Sequence, residues 1–99
     1  MPKKPETLFK ERMQPLLKAT PNSWWFKTQQ IATIGIPDII GCVNGRFVAI
    51  ELKRDQREAG KRQHALQRYV IGQINAAGGY ATLCYPENLQ EVLAKIRSL

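Results

Sequence analysis

The chain has 99 residues, 43% of them hydrophobic, which is typical of a folded globular protein rather than a disordered one. This length predicts a single domain over residues 1–99 and excludes a large barrel, a two-domain cleft enzyme and a dinucleotide-binding fold of usual size. Fifteen Lys and Arg against eight Asp and Glu give a net charge of +7. That excess favours a polyanionic partner, nucleic acid first, the alternative being a basic protein that is merely soluble.

Cysteine usage and hydropathy indicate a compartment. Cys42 and Cys84 lie in apolar stretches without the spacing of metal ligands, and we expect both to be reduced core residues. The basic start of the chain has no apolar region behind it, and no apolar run approaches the roughly 18 residues of a membrane helix. The sequence therefore predicts a soluble cytoplasmic protein with no membrane partner.

The first third of the chain predicts a helix and then a strand. Apolar residues recur at three- and four-residue steps over residues 5 to about 19, which is typical of a helix. Pro15 lies inside this stretch and predicts a kink or an early end near Gln14. A short aromatic strand over 24–28 follows, whereas 29–36 fit no regular element.

A hairpin is the clearest local signal. Asn44 and Gly45 separate two apolar stretches of β-type residues, 38–43 and 46–53. An Asn-Gly pair in this position is a strong signal for a two-residue turn. Because apolar residues fall on both faces of these strands, we expect the hairpin to be central and buried.

The second half predicts a loop, a helix, a strand and a helix. Residues 54–62 are polar and highly charged, which favours a loop. A helix is predicted over about 63–77 and is closed by glycines 78–79. A strand over 80–85 and a last helix over about 88–98 complete the order helix, three strands, helix, strand, helix.

The hairpin register places two acidic residues together. If Asn44 and Gly45 form the turn, Asp38 lies directly opposite Glu51, with Cβ atoms about 4.5–5.5 Å apart. Lys53 shares that face. Opposed carboxylates are destabilising unless compensated, and Mg²⁺ between them is an economical compensation. The alternative is an Asp at a strand start and a Glu–Lys pair on a solvated face.

Two motifs at this point resemble a known nuclease family. Residues 35–38 (Gly-Ile-Pro-Asp) and 45–53 (Gly-Arg-Phe-Val-Ala-Ile-Glu-Leu-Lys) resemble the signature of the PD-(D/E)XK superfamily, and more narrowly the VRR-NUC domains, virus-type replication-repair nucleases that stand alone in phages and bacteria. Residues 66–67 and 74–79 resemble that family's helix with its glutamine and terminal Ala-Gly-Gly. The resemblance implies a restriction-endonuclease-like α/β fold: an αβββαβ core whose mixed central sheet is flanked by helices, plus a C-terminal helix.

The resemblance also implies a set of site residues. It assigns Asp38 and Glu51 as metal ligands and Lys53 as the catalytic lysine. The backbone carbonyl of Leu52 would be a further metal ligand, and Gln67 would lie beside the site from its helix.

An acidic residue of the first helix usually completes such a site. Glu6 is our choice because it begins the helix, and Glu11 is the alternative. The implied cofactor is Mg²⁺, with Mn²⁺ as the alternative. The implied activity is endonucleolytic hydrolysis of DNA in a bacterial or phage-infected cell. Rival hypotheses are a non-catalytic basic DNA-binding module and a subunit of a larger repair complex.

Substrate and assembly follow from charge and resemblance together. Five basic residues are expected to contact DNA phosphates rather than only solvent: Lys27, Arg54, Arg57, Lys61 and Arg62. Stand-alone VRR-NUC proteins resemble junction-resolving enzymes, which implies a homodimer that cuts branched DNA such as Holliday junctions. A monomeric nuclease acting on flaps or ends is the alternative.

For three further side chains, both a structural and a functional interpretation are open. Trp24 and Trp25 point to opposite faces of their strand, so at most one is expected to be available for base stacking or a subunit contact. His64 is the chain's single histidine and has no obvious partner. We expect it to be a surface residue at a helix start rather than a general base.

Overall fold

A computed structural model of the protein describes residues 2–28 and 35–99. Its helices and strands, in chain order, are α1 (Pro5–Lys18), β1 (Ser23–Lys27), β2 (Ile39–Val43), β3 (Arg46–Leu52), α2 (Gln56–Ala59), α3 (Ala65–Ala76), β4 (Tyr80–Cys84) and α4 (Leu89–Arg97). Short 3₁₀ turns, Arg62–His64 and Pro86–Asn88, precede α3 and α4. The predicted α/β fold, an αβββαβ core with a C-terminal helix, is confirmed.

The four strands form one mixed sheet in the order β1-β2-β3-β4. The first three are antiparallel neighbours, whereas β4 runs parallel to β3. Parallel neighbours need a long crossover, and α3 supplies it. The hairpin strands β2 and β3 are therefore the two central strands, as predicted.

The turn sets the register of the sheet. Asn44 and Gly45 have φ angles of 50° and 82°, and positive values at both central residues are those of a type I′ turn. Val43 pairs with Arg46, and Ile39 pairs with Ile50. The predicted register is confirmed, so the face on which each β3 side chain lies was predicted correctly.

The hydrophobic core lies on one face of the sheet, under α1 and α4. From β3, Ile50 and Leu52 point into it and are fully buried. Glu51 and Lys53 alternate with them and lie on the opposite face. The chemistry-bearing residues therefore share a strand with core residues but not a face.

Helix α1 continues through Pro15. It ends at Lys18, so the expected end near Gln14 is wrong. Met13 and Leu17, on either side of the proline, are fully buried against the sheet. This burial stabilises the last turn despite the backbone donor that proline lacks.

The charged stretch 54–62 is not the loop that its composition predicts. Residues Gln56–Ala59 form α2. The Asp55 side chain caps it, accepting a hydrogen bond of 2.8 Å from the backbone N–H of Glu58. An Asp three residues before a Glu is a sequence signature of a helix start, and it indicates α2 despite the high charge of the stretch.

Two further findings bear on the sequence expectations. Cys84 is buried, but Cys42 is exposed on the face of the sheet away from the core, so the prediction of a core residue is wrong for Cys42. No helix within residues 2–28 and 35–99 is long and apolar enough to cross a membrane. The irregular stretch predicted over 29–36 falls mainly on 29–34, which lie outside the described residues.

Candidate active site

Asp38 and Glu51 lie next to each other where β2 begins and β3 ends. Each carboxylate accepts a hydrogen bond from a backbone N–H on the other side of the hairpin. The backbone N–H of Asp38 donates to Glu51 Oε1 at 3.1 Å. The backbone N–H of Leu52 donates to Asp38 Oδ2 at 2.9 Å. Asp38 is 5% exposed and Glu51 1%. The two acidic groups are therefore held side by side out of solvent, as the hairpin register predicts.

Lys53 and Gln67 converge on the second carboxylate. Lys53 Nζ lies 3.1 Å from Glu51 Oε2, and Gln67 Nε2 donates to the same oxygen at 2.9 Å. Lys53 is itself buried. The structure thus brings together the four side chains that the resemblance names, although their catalytic roles stay predictions.

One polar atom at the site is left over. Gln67 Oε1 is buried and has no hydrogen-bond partner among the described residues. Exchanging the oxygen and nitrogen of this amide would aim its oxygen at the Glu51 carboxylate, which cannot donate when ionised. An unpaired buried acceptor is costly, so this oxygen suits a donor or a cation that enters the site.

The electrostatics of the carboxylate pair are unfavourable without a ligand. The pKa of Glu51 is raised from its ordinary value to about 7, first by burial and then by the neighbouring Asp38 charge, against the opposing effect of Lys53. Holding both groups ionised therefore costs free energy in the absence of a further cation. A divalent ion with hard oxygen ligands would remove that cost.

Helix α1 brings a lysine, not a glutamate, to this pair. Lys10 Nζ lies 3.4 Å from Asp38 Oδ1. Glu6 lies in the first turn of α1, and Glu11 is exposed and pairs with Lys3 at 2.6 Å. The described residues contain no group of three or more His, Cys, Asp or Glu side chains arranged to hold a metal.

The prediction that Glu6 or Glu11 completes the site is therefore not supported by this arrangement. Lys10 gave no signal in the sequence, because a lysine on an amphipathic helix usually faces solvent. The backbone of Leu52 does lie at the site, through its N–H to Asp38. A ligand role for its carbonyl stays a prediction.

His64 is a second residue that the sequence analysis misjudged. It is half-buried, and its Nδ1 lies 3.4 Å from Lys53 Nζ. Its Nε2 lies 3.1 Å from Glu58 Oε1. The expectation of a surface histidine without a partner is wrong. No local periodicity could place the 3₁₀ turn before α3 against the end of β3, since that contact depends on tertiary packing.

The basic residues of stretch 54–62 divide into two groups. Lys61 and Arg54 approach Glu58 Oε2 at 2.8 and 3.4 Å. The side chains of Arg57 and Arg62 are exposed and make no hydrogen bond or ion pair with any described residue. Of the four, Arg57 and Arg62 are thus the better placed to contact phosphates, and that role stays a prediction.

The fifth basic residue of the predicted DNA-contacting set lies near the carboxylates. Lys27 is exposed at the end of β1, and it lines one small pocket together with Lys10 and Asp38. Two lysines beside one carboxylate make a mixed-charge opening at the edge of the site. Such an opening suits the approach of an anionic backbone.

Comparison with known proteins identifies no relative of this chain. The chain matches no protein-family model, no curated protein and no solved structure. The similarity to VRR-NUC domains therefore stays an expectation drawn from the motifs.

Proposed function

We propose that this protein is a metal-dependent DNA endonuclease of the VRR-NUC type, acting in the cytoplasm of a bacterial or phage-infected cell. The observation that carries the proposal is the buried pair of Asp38 and Glu51 beside Lys53. Burying two like charges costs stability, and such strained electrostatics cluster at functional sites. The net charge of +7 supports a polyanionic substrate.

The donor set fits Mg²⁺, or Mn²⁺, which prefers similar ligands. The carboxylates of Asp38 and Glu51 and the carbonyl of Leu52 would hold the ion, and the unpaired Gln67 Oε1 is a further hard oxygen nearby. When bound, the ion supplies Lewis-acid polarisation of the scissile phosphate and activation of water.

The lysines supply positive charge from the protein itself. Lys53 contacts one carboxylate and Lys10 contacts the other. The Lys53 ammonium would orient the attacking water and stabilise negative charge as it develops on the phosphate. Lys10, at the mouth of the site with Lys27, would contact the DNA backbone.

Cleavage assays test the proposal. The protein is incubated with labelled linear, flap and four-way DNA, with and without Mg²⁺, together with the near-isosteric variants Asp38→Asn and Glu51→Gln. We expect cleavage to require the metal and to fall at least about 100-fold in either variant while DNA binding persists. Glu91→Gln, an exposed carboxylate on α4, is the matched control and should cleave normally.

The outcomes separate the rival functions. Full activity in either site variant would remove Asp38 and Glu51 from the active site. A wild-type protein that binds DNA but cleaves none of these substrates with either Mg²⁺ or Mn²⁺ would favour the non-catalytic DNA-binding module. Cleavage that appears only after a cell extract is added would favour a subunit of a larger repair complex.

The same proposal extends to assembly and substrate. Resolving a four-way junction needs two symmetric cuts, and a twofold homodimer supplies two identical sites. Trp24 and Phe26 are 61% and 50% exposed on the edge strand β1, and this apolar surface could form the subunit contact. Light scattering at micromolar concentration tests it. A mass near one chain, with no preference for a four-way junction over linear duplex, would contradict it.

A further inference from the structure

The segment that follows Lys53 is anchored close to it. Arg68 on α3 donates from Nη1 to the carbonyl oxygens of Lys61 and Ala59, at 2.9 and 3.3 Å. At the other end of the segment, the backbone N–H of Gln56 donates to Glu87 Oε2 at 3.2 Å. Hydrogen bonds at both ends make α2 and the 3₁₀ turn a defined part of the site's surroundings.

The two contacts of His64 determine its tautomer. An ionised Glu58 carboxylate has no hydrogen to donate, so the hydrogen between them must be on His64 Nε2. A neutral imidazole then has a lone pair on Nδ1. The Lys53 ammonium has no lone pair and can only donate, so it donates to Nδ1. Both contacts therefore require the same tautomer.

The surroundings of Glu58 keep its carboxylate ionised, so that it can accept the hydrogen bond from His64 Nε2. Hydrogen bonds from Lys61 and His64 lower the pKa of Glu58 to about 2. Its backbone N–H is also held by the Asp55 cap. The Glu58 carboxylate is thus held between Lys61 and His64, where it accepts a hydrogen bond from the imidazole.

The contact with His64 restricts the position of the Lys53 ammonium. Its ammonium donates to Glu51 Oε2 at 3.1 Å and faces His64 Nδ1 at 3.4 Å. A lysine side chain has several rotatable bonds and loses considerable entropy when it is held in place. Two acceptors on different elements define its position and leave the third N–H for the reacting group.

We propose that His64, oriented by Glu58, is a positioning residue that holds the Lys53 ammonium in its productive place. This inference rests on the proposed nuclease function and adds to it a relay running from Glu58 through His64 to Lys53. The relay joins α2 and the 3₁₀ turn to the end of β3. His64 touches neither carboxylate of the proposed metal site in this arrangement and acts through Lys53.

Kinetics test the relay. We expect His64→Ala to lower kcat about 10- to 100-fold, with the KM for DNA and the Mg²⁺ dependence unchanged. His64→Asn keeps an acceptor at the δ1 position and should recover most of the rate. Glu58→Gln leaves the tautomer unspecified and should lose less than His64→Ala. Gln63→Ala, at an exposed neighbour on the same 3₁₀ turn, is the control and should cleave normally.

A double-mutant cycle separates positioning from general loosening of the fold. If His64 acts through Lys53, adding His64→Ala to Lys53→Ala should cause no further loss of rate. A structural role would lower the rate by the same factor in both backgrounds and would reduce the melting temperature as well. Equal factors, or a His64→Ala variant with normal kcat, would overturn the inference.

Nuclear magnetic resonance tests the contact without any cleavage. Because the chain has one histidine, its imidazole nitrogen spectrum contains a single residue. At about pH 8 we expect the Nε2–H tautomer, with an Nδ1 shift that moves in Lys53→Met. The opposite tautomer, or an Nδ1 shift indifferent to Lys53→Met, would overturn the relay even in an active enzyme. A wild type with the expected spectrum and no cleavage would instead overturn the proposed function, and the catalytic role of His64 with it.

Discussion

At the carboxyl end of β3 both faces are buried, but the side chains on the two faces are chemically opposite. Ile50 and Leu52 are 0% exposed on the core face, whereas Glu51 and Lys53 are 1% and 5% exposed on the other. Burying an aliphatic side chain contributes about 1.5–3 kcal/mol to stability, whereas burying a carboxylate costs free energy unless it is compensated. Burial alone therefore does not distinguish residues that stabilise the fold from residues of the candidate site. The kind of group that is buried does.

The layers that cover the two faces differ in the same way. Helix α4 buries four apolar side chains against the core face: Leu89, Val92, Leu93 and Ile96. On α3 every side chain is half-buried or exposed, including the exposed Leu66 and Tyr69. The core face is sealed, and the face with the carboxylates is more open. This difference is compatible with the access to DNA that the proposed function requires.

The largest effect on stability should come from the core face. Replacing Ile50 by Ala removes a fully buried side chain and should reduce the free energy of unfolding by about 2–5 kcal/mol. Urea unfolding followed by circular dichroism measures it. Leu8→Ala, at an exposed position on α1, should change stability by about 0.5 kcal/mol or less. Equal losses in the two variants would contradict the assignment of the faces.

Substitution of Glu51, the next residue along β3, is expected to raise the free energy of unfolding rather than lower it. With a folded pKa of about 7 against an ordinary value of 4.5, ionising Glu51 destabilises the fold as pH rises between these two values. In metal-free buffer at about pH 8, Glu51→Gln should therefore be more stable than wild type, by up to about 3 kcal/mol.

The pH dependence provides the internal control for Glu51→Gln. Below about pH 4.5 the wild-type carboxyl is neutral in both the folded and the unfolded state, so the stabilities of the two proteins should converge. Denaturant titrations at pH values from about 4 to 8 test this. A variant that is less stable than wild type at about pH 8 but equally stable at about pH 4 would show instead that the Glu51 charge stabilises the fold.

Binding of Mg²⁺ to the carboxylates of Asp38 and Glu51 should stabilise the folded protein. Mg²⁺ at about 100 times its dissociation constant should raise the free energy of unfolding of the wild type by about 2.7 kcal/mol. Asp38→Asn should show little of this gain because it lacks one ionised ligand. Thermal unfolding with added Mg²⁺ or with a chelator measures the difference. A gain of the same size in Asp38→Asn would place the ion elsewhere.

The smallest effect should come from the turn that aligns both faces. Gly45 has a φ of 82°, and a Cβ there would meet open space. Gly45→Ala should therefore cost only the backbone preference, about 1–2 kcal/mol, and leave cleavage by the folded protein unchanged. Loss of cleavage in a variant that still folds would mean that the hairpin register had moved with the turn.

The sequence by itself determined the hairpin and much of the site. Asn44 and Gly45 select one turn geometry, and that geometry places Asp38 opposite Glu51 with no information from the rest of the chain. Local periodicity also predicted the order of the four strands with α1, α3 and α4, but not the short helix α2. These features were predictable because a turn and the strands beside it depend on neighbouring residues only.

Only the tertiary structure decided which side chains surround the carboxylates. Lys10 reaches Asp38 because α1 packs its apolar side chains against the sheet, a contact between residues 28 positions apart. His64 reaches Lys53 because α2 and the 3₁₀ turn are anchored by Arg68 and Glu87. Such contacts depend on how whole elements pack, and a lysine on a helix or a lone histidine leaves no local pattern that would reveal them.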